Sequence, residues 1–224
     1  MSVFVTGTDT GVGKTQFTVW LLKCLRGCGM RCAGYKPICC GDRDDAVRLQ
    51  AASSPGLTID EVNPVWLRTP AAPLTAARAE GRKIDLLALR EGFARLSPRF
   101  DFVVVEGVGG WMVPITARYF SNDLAVDLRL PVIVVAENRL GCLNHILLTV
   151  RAIESAGLKC AGVVLNDLAK ESDLAMTTNA EILRSCLTLP ILAGFDPAKA
   201  ELDRRLRQML PEIPFTVNII STKE

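Results

Sequence analysis

An α/β fold, with a mostly parallel sheet covered by helices on both faces, is predicted from three observations. Apolar, β-branched runs alternate with segments of helical periodicity along the chain. Two of the runs, Phe102-Val103-Val104-Val105 and Val132-Ile133-Val134-Val135, are apolar without interruption, the pattern of strands buried on both faces. A glycine-rich turn ending in Gly13-Lys14-Thr15 joins the first run to the first helical segment, the strand–loop–helix setting of a phosphate-binding loop. The length of 224 residues suits one domain spanning residues 1–224, with the fold of the P-loop nucleotide triphosphatases.

The elements follow in order. A strand is expected over 2–7 (Val3, Phe4, Val5) and a helix over 14–27, where Phe17, Val19, Leu21, Leu22 and Leu25 begin a helical pattern. Next come a strand at 31–36, helices at 44–53, 73–80 and 85–96, and strands at 101–106 and 131–136. The helix at 143–156 places Ile146, Leu147, Val150 and Ile153 on one face, and Gly157 is positioned to stop it. A strand at 160–165, a helix at 172–186, a strand at 190–194 and a helix at 200–210 complete the chain. Strand–helix alternation requires right-handed crossovers, hence parallel strands. No internal repeat, linker or low-complexity tract interrupts the pattern.

Composition excludes several classes of function. A net charge of +2, without a basic block or stripe, gives no footprint for nucleic acid or a membrane surface. Apolar runs reach strand length only, far short of a membrane span. The first residues enter a strand with no charged or long apolar leader, so a cytoplasmic protein is expected. The eight cysteines include no CxxC pair and the only histidine is His145, which argues against a zinc site. In a reducing compartment most of these thiols are expected to serve as small core hydrophobes.

The chemistry concentrates at the carboxyl ends of the strands, where such sheets bind ligands. After the first strand, Gly11, Val12, Gly13, Lys14, Thr15 and Gln16 form the phosphate cradle. Its glycines let successive N–H groups converge, and the helix N-terminus adds partial positive charge. Lys14 is placed to reach the terminal phosphates and Thr15 to take a position on Mg²⁺. Five residues separate Gly7 from Gly13, one more than usual, and Thr8 fills the customary glycine slot. After the second strand comes Lys36, a second cation at the rim where a triphosphate ends. After the third comes Glu106-Gly107-Val108-Gly109-Gly110; Glu106, with Thr15 and one of Asp42, Asp44 or Asp45, supplies the oxygen ligands that Mg²⁺ requires. After the fifth come Asn166 and Asp167. The turn Gly141-Cys142-Leu143-Asn144 presents free N–H groups at a helix start, a ready carboxylate site. His145, alone in that first turn, is expected to be structural.

Taken together, these segments resemble the dethiobiotin synthetase family along nearly the whole chain. The resemblance is carried by Val5-Thr6-Gly7-Thr8-Asp9-Thr10-Gly11-Val12-Gly13-Lys14-Thr15, Gly34-Tyr35-Lys36-Pro37, Asp45-Ala46, Val105 to Trp111, Leu140 to His145 and Leu165-Asn166-Asp167. It implies an ATP-dependent ring-forming ligase of biotin synthesis that joins 7,8-diaminopelargonate to CO₂. It implies catalytic roles for Lys36, Lys14 and Thr10, and Mg²⁺ held by Thr15, Asp45 and Glu106. It further implies nucleotide contacts from Gly107, Val108, Gly109, Asn166, Asp167 and Pro197. Cys40 and the Gly141–Asn144 turn are implied to hold the diamine, the turn acting across the interface of a homodimer.

Two departures from the family pattern stand near the diamine. Cys40 replaces a small hydroxyl residue, and Pro70-Ala71-Ala72-Pro73 lacks the Ser or Thr often present there. Gly11 replaces an acidic residue of some members, and Gly194-Phe195-Asp196-Pro197 matches weakly. The main rival is a switch ATPase of the partitioning or septum-site kind. Such proteins carry a lysine five residues before the loop lysine, where this chain has Asp9. Amidating synthetases of related fold need a glutaminase with a Cys–His pair, and nucleotide kinases need an arginine-rich lid; the sequence offers neither.

Overall fold

The structure, a computed structural model, describes residues 1–169, 171–195 and 204–211. Alternation along the strands sets its layers. In β1 (Ser2–Gly7) the side chains of Val3 and Val5 join one apolar cluster and that of Phe4 joins another. The same alternation recurs downstream: Phe102 and Val104 face one way and Val103 and Val105 the other, as do Ile133 and Val135 against Val132 and Val134. Both faces therefore need a covering of helices.

In chain order, β1 is followed by α1 (Lys14–Gly27), β2 (Cys32–Tyr35), β3 (Ile38–Cys40), α2 (Asp44–Ala52), α3 (Ile59–Val62) and β4 (Val65–Leu67). Then come α4 (Pro73–Ala79), α5 (Leu86–Leu96), β5 (Phe102–Gly110), β6 (Pro114–Thr116), β7 (Tyr119–Phe120), α6 (Ser121–Leu128) and β8 (Val132–Glu137). The remaining described elements are α7 (Cys142–Ser155), β9 (Cys160–Asn166), α8 (Leu174–Cys186), β10 (Ile191–Phe195) and α9 (Arg204–Met209). Six strands make one parallel sheet in the order β10-β9-β8-β1-β5-β2. Helices α1, α2 and α9 supply the apolar side chains against one face, and α5, α6, α7 and α8 those against the other. The strand order reverses beside β1, which puts the first loop at the switch point of the sheet.

The six expected strands and the expected helices are present within a few residues of their predicted limits. Gly157, with φ of 75°, follows the end of α7 as a left-handed stop. Residues 200–203 of the expected last helix lie outside the described residues. One difference matters for the site: Glu106 lies within β5, paired in register with Val5, rather than at the strand's end. Glycines 107, 109 and 110 carry no side chain, so pairing continues beside the phosphate loop to Gly7 opposite Gly110. The sequence reading lacked the short pairs β3–β4 and β6–β7 and helices α3 and α6. The strands are too short for a period to emerge, and the two helices are fixed at their starts by local caps, as where Asp123 Oδ2 accepts the N–H of Phe120 at 2.7 Å.

Candidate active site

The phosphate loop is shaped by two glycines with positive φ, Gly11 at 78° and Gly13 at 90°, conformations that L side chains rarely adopt. Gly13 caps α1 in the left-handed region, so the first amides of the helix open toward the loop. It is also sterically closed: a Cβ there would lie 1.9 Å from Asn166 Nδ2. Asn166 donates to the Val12 carbonyl at 3.1 Å and to Gln16 Oε1 at 3.4 Å, fastening the tip of β9 to the loop.

Four charged side chains and one hydroxyl converge beside this loop. Lys36 is buried and donates to Glu106 Oε1 at 2.5 Å, to Asp45 Oδ2 at 3.0 Å and to the Gly107 carbonyl at 3.4 Å. Thr15 Oγ1 stands 2.7 Å from Asp45 Oδ1 and 2.8 Å from Glu106 Oε1. Of the three neighbouring acids, Asp45 is the one that reaches Thr15 and Lys36, while Asp42 lines the rim and Asp44 is exposed. Lys14 donates to the Asp9 carbonyl at 2.8 Å, curling back over its own loop.

Burial alone would lower the pKa of Lys36, but the Glu106 and Asp45 carboxylates outweigh it and hold the ammonium above the ordinary lysine range. Burial would likewise raise Asp45, yet the Lys36 charge and the Thr15 hydroxyl hold it below the usual carboxylate range. Lys14 lacks such pairing. Burial, and then the Lys36 charge, lower it to about 8.

The position of Lys36 is fixed through its backbone. Its N–H donates to the Val62 carbonyl at 2.8 Å, and its carbonyl accepts from Asn63 Nδ2 at 2.8 Å. Asn63 is fully buried and is held in turn by Arg43, whose Nε donates to Asn63 Oδ1 at 2.8 Å. Sequence reasoning did not single out Asn63; a polar residue between the apolar end of α3 and Pro64 was its only signal.

A cavity of about 650 Å³ opens on this cluster. Thr10, Gly11, Gly13, Lys14, Thr15, Gln16, Lys36 and Asp45 line it, with Val108 and Gly109. Ile38, Cys39, Cys40 and the stretch Pro70-Ala71-Ala72-Pro73 line it as well. Burial, and then the charge of Glu80, push the Cys40 thiol up to about 11, so it stays protonated at neutral pH. Glu106 and Gly107 sit behind the rim, and Asp167 is exposed at the tip of β9. Gly141, Cys142, Leu143 and Asn144 start α7 and are absent from the lining of this cavity. Pro197 lies outside the described residues. Arg48 and Val113 also line the cavity, though the sequence reading gave them no role.

Comparisons with known proteins bear on the family and the fold. A family model described as an AAA domain matches residues 1–204. The ATP-dependent dethiobiotin synthetase BioD of Akkermansia muciniphila is 46% identical over 188 residues, covering 84% of this chain and 88% of that protein. The protein of the same name from Anaeromyxobacter dehalogenans is 43% identical over 214 residues, covering 93% and 96%. Among solved structures, the septum site-determining protein MinD of Pyrococcus horikoshii, complexed with Mg-ADP, superposes with a TM-score of 0.53 at 16% identity, covering 96% of this chain and 88% of that one. A putative plasmid partition protein of Borrelia burgdorferi, bound to AMPPNP, gives 0.54 at 14%, covering 95% and 99%. Those two likenesses establish the fold alone, whereas identity above 40% over most of both chains establishes the family. The chain belongs to the ATP-dependent dethiobiotin synthetase family.

Proposed function

We propose that the protein is a cytoplasmic, homodimeric ligase that forms dethiobiotin, ADP and phosphate from 7,8-diaminopelargonate, CO₂ and ATP. The observation that carries the proposal is the meeting of Lys36, Thr15, Asp45 and Glu106, with Lys14 beside them, at a cavity also lined by Ile38, Cys39, Cys40, Ala71 and Ala72. One amine of the diamine adds to CO₂ and loses a proton, giving a carbamate. A carbamate oxygen attacks the γ-phosphorus, and ADP leaves with the bridging oxygen. The second amine then attacks the carbamoyl carbon; the C–O bond breaks, and phosphate departs with the former carbamate oxygen as the ring closes and a proton is lost.

In this scheme the protein works by charge placement and positioning. The amides from Gly11 to Gln16 hold the nucleotide phosphates. Lys14 and Lys36 stabilise the charge that moves from carbamate to transferring phosphoryl group, and Thr10 faces both. Asn166 and Asp167 read the adenine. Thr15, Asp45 and Glu106 would hold Mg²⁺, which supplies charge neutralisation at the phosphate oxygens. The donor set fits such an ion. Thr15 has one hydroxyl proton for two carboxylates, and buried Glu106 Oε2 has no hydrogen-bond partner. The two ammoniums and two carboxylates also cancel, so a bound triphosphate needs a further cation.

The diamine would lie against Cys40, Ala71 and Ala72, its carboxylate taken by Gly141 to Asn144 of a second copy. This is supported by the turn's absence from the lining of its own cavity and by exposed Leu140 and Leu148 beside it. Purified protein is expected to release phosphate only when diamine, bicarbonate, ATP and Mg²⁺ are all supplied, with dethiobiotin formed one for one. Equal release without the diamine would favour the switch ATPase reading.

A further inference from the structure

Two buried asparagines take no part in the chemistry above. Asn138 follows β8 and Asn179 sits mid-way along α8, only 3% and 4% exposed. The Asn138 N–H donates to the Asn166 carbonyl at 2.9 Å. Its side-chain Nδ2 donates to Asp167 Oδ1 at 2.8 Å and to the Met176 carbonyl at 3.0 Å. Asn179 Nδ2 in turn donates to Asn138 Oδ1 at 2.9 Å, to the Arg139 carbonyl at 3.3 Å and to Cys142 Sγ at 3.3 Å.

The orientation of each amide is fixed by its neighbours. A carboxylate and a carbonyl can only accept, so the NH₂ of Asn138 must face Asp167 and Met176, leaving its oxygen toward Asn179. The NH₂ of Asn179 then faces that oxygen, with the Arg139 carbonyl beside it. The result is a hydrogen-bonded chain from the tip of β9, through α8, to the first residue of α7. Asparagine is a poor helix-interior residue, and a buried amide is costly unless satisfied. An apolar pair would fill the same place at less cost. What the amide pair adds is a fixed geometry between two strand tips.

We propose that Asn179 is a positioning residue which, through Asn138, seats the Arg139–Cys142 turn against the Asn166–Asp167 edge. The inference rests on the reading above, in which that edge meets the nucleotide and the turn continues into the diamine's carboxylate site. In the dimer read above the turn of one copy serves the diamine bound in the other, so the pair sets how the turn projects from its own sheet edge toward that site, and its loss is felt in diamine binding more than in phosphoryl transfer.

The test is the double variant Asn138→Val/Asn179→Leu, which removes both amides together so that neither is left facing the other unsatisfied, while the Arg139 carbonyl keeps the Cys142 N–H and exposed Asp167 turns to water. KM for the diamine is expected to rise about tenfold, as for a coupling of ordinary size, while kcat and KM for ATP stay within about twofold. Amide hydrogen exchange at Cys142, whose N–H donates to the Arg139 carbonyl, should quicken about tenfold, while Val150 inside α7 keeps its protection. A folded double variant with unchanged diamine KM and unchanged exchange at Cys142 overturns the proposal. If the parent protein makes no dethiobiotin, the reaction assigned above fails, and the exchange measurement alone decides the positioning role.

Discussion

Replacing Lys36 by alanine is expected to perturb stability and catalysis together, to different extents. Lys36 is the only cation within ion-pair reach of Glu106 among the described residues, and Glu106 is completely buried. Removing one partner of a buried pair leaves an uncompensated charge, which costs about 3–5 kcal/mol. The lost contact to Asp45 adds little, because that carboxylate is 44% exposed and water takes the place of the ammonium. For a chain of this length the loss lowers the melting temperature by roughly 6–20 °C. Turnover should fall further than stability suggests, since removing one preorganised charge-stabilising donor costs about 10²–10³ in kcat. ATP binding should change much less, because the loop amides and Lys14 remain. Differential scanning calorimetry, single-turnover phosphate release and titration with a fluorescent ATP analogue measure the three quantities. Mg²⁺ should recover part of the lost melting temperature in the variant, because the Thr15, Asp45 and Glu106 oxygens then face no competing ammonium. Turnover within threefold of the parent would refute the role given to Lys36.

Three further outcomes are expected. Gly13→Ala places a methyl group on Asn166 in a left-handed conformation, a strain of about 1–3 kcal/mol, so ATP affinity should drop about five- to 150-fold; an unaltered nucleotide titration would contradict the loop geometry. The free site holds Lys14 near pKa 8, and bound phosphates favour its charged form, so ATP binding at pH 8 should take up about half a proton; calorimetry in buffers of different ionisation enthalpy would show no uptake if Lys14 does not meet phosphate. Asp85 accepts from the N–H groups of Leu87 and Ala88 at the start of α5, remote from the cavity, so Asp85→Ala should cost about 1 kcal/mol with unchanged kinetics; a kinetic change would mean that α5 communicates with the site.

The sheet and its candidate ligand-binding edge were legible because uninterrupted strands and the glycine-rich loop are local signals. Lys36 and Glu106 could be picked out as polar residues where apolar runs stop. The same rule applied to the fourth long strand would have reached Asn138, two residues after Ala136. Asn179 gave no comparable signal: a polar residue on the inner face of an amphipathic helix resembles an ordinary surface residue until the partner strand is in place. Asn63 was hidden for the same reason, since its bonds run to a segment 27 residues earlier. The β3–β4 pair was missed because strands of three residues show no period. The cavity wall at Ala71 and Ala72 is an outcome of where α4 packs, not of any local pattern.

The account turns on a carbamate oxygen, not water, attacking the terminal phosphate. A rapid-mixing reaction started with ¹⁸O-labelled bicarbonate in unlabelled water, with the released phosphate analysed by mass spectrometry, tests this directly. One labelled oxygen in each phosphate is the expected result. Unlabelled phosphate, with the bicarbonate pool still enriched at quench, would mean that water takes the γ-phosphoryl group and would contradict the mechanism.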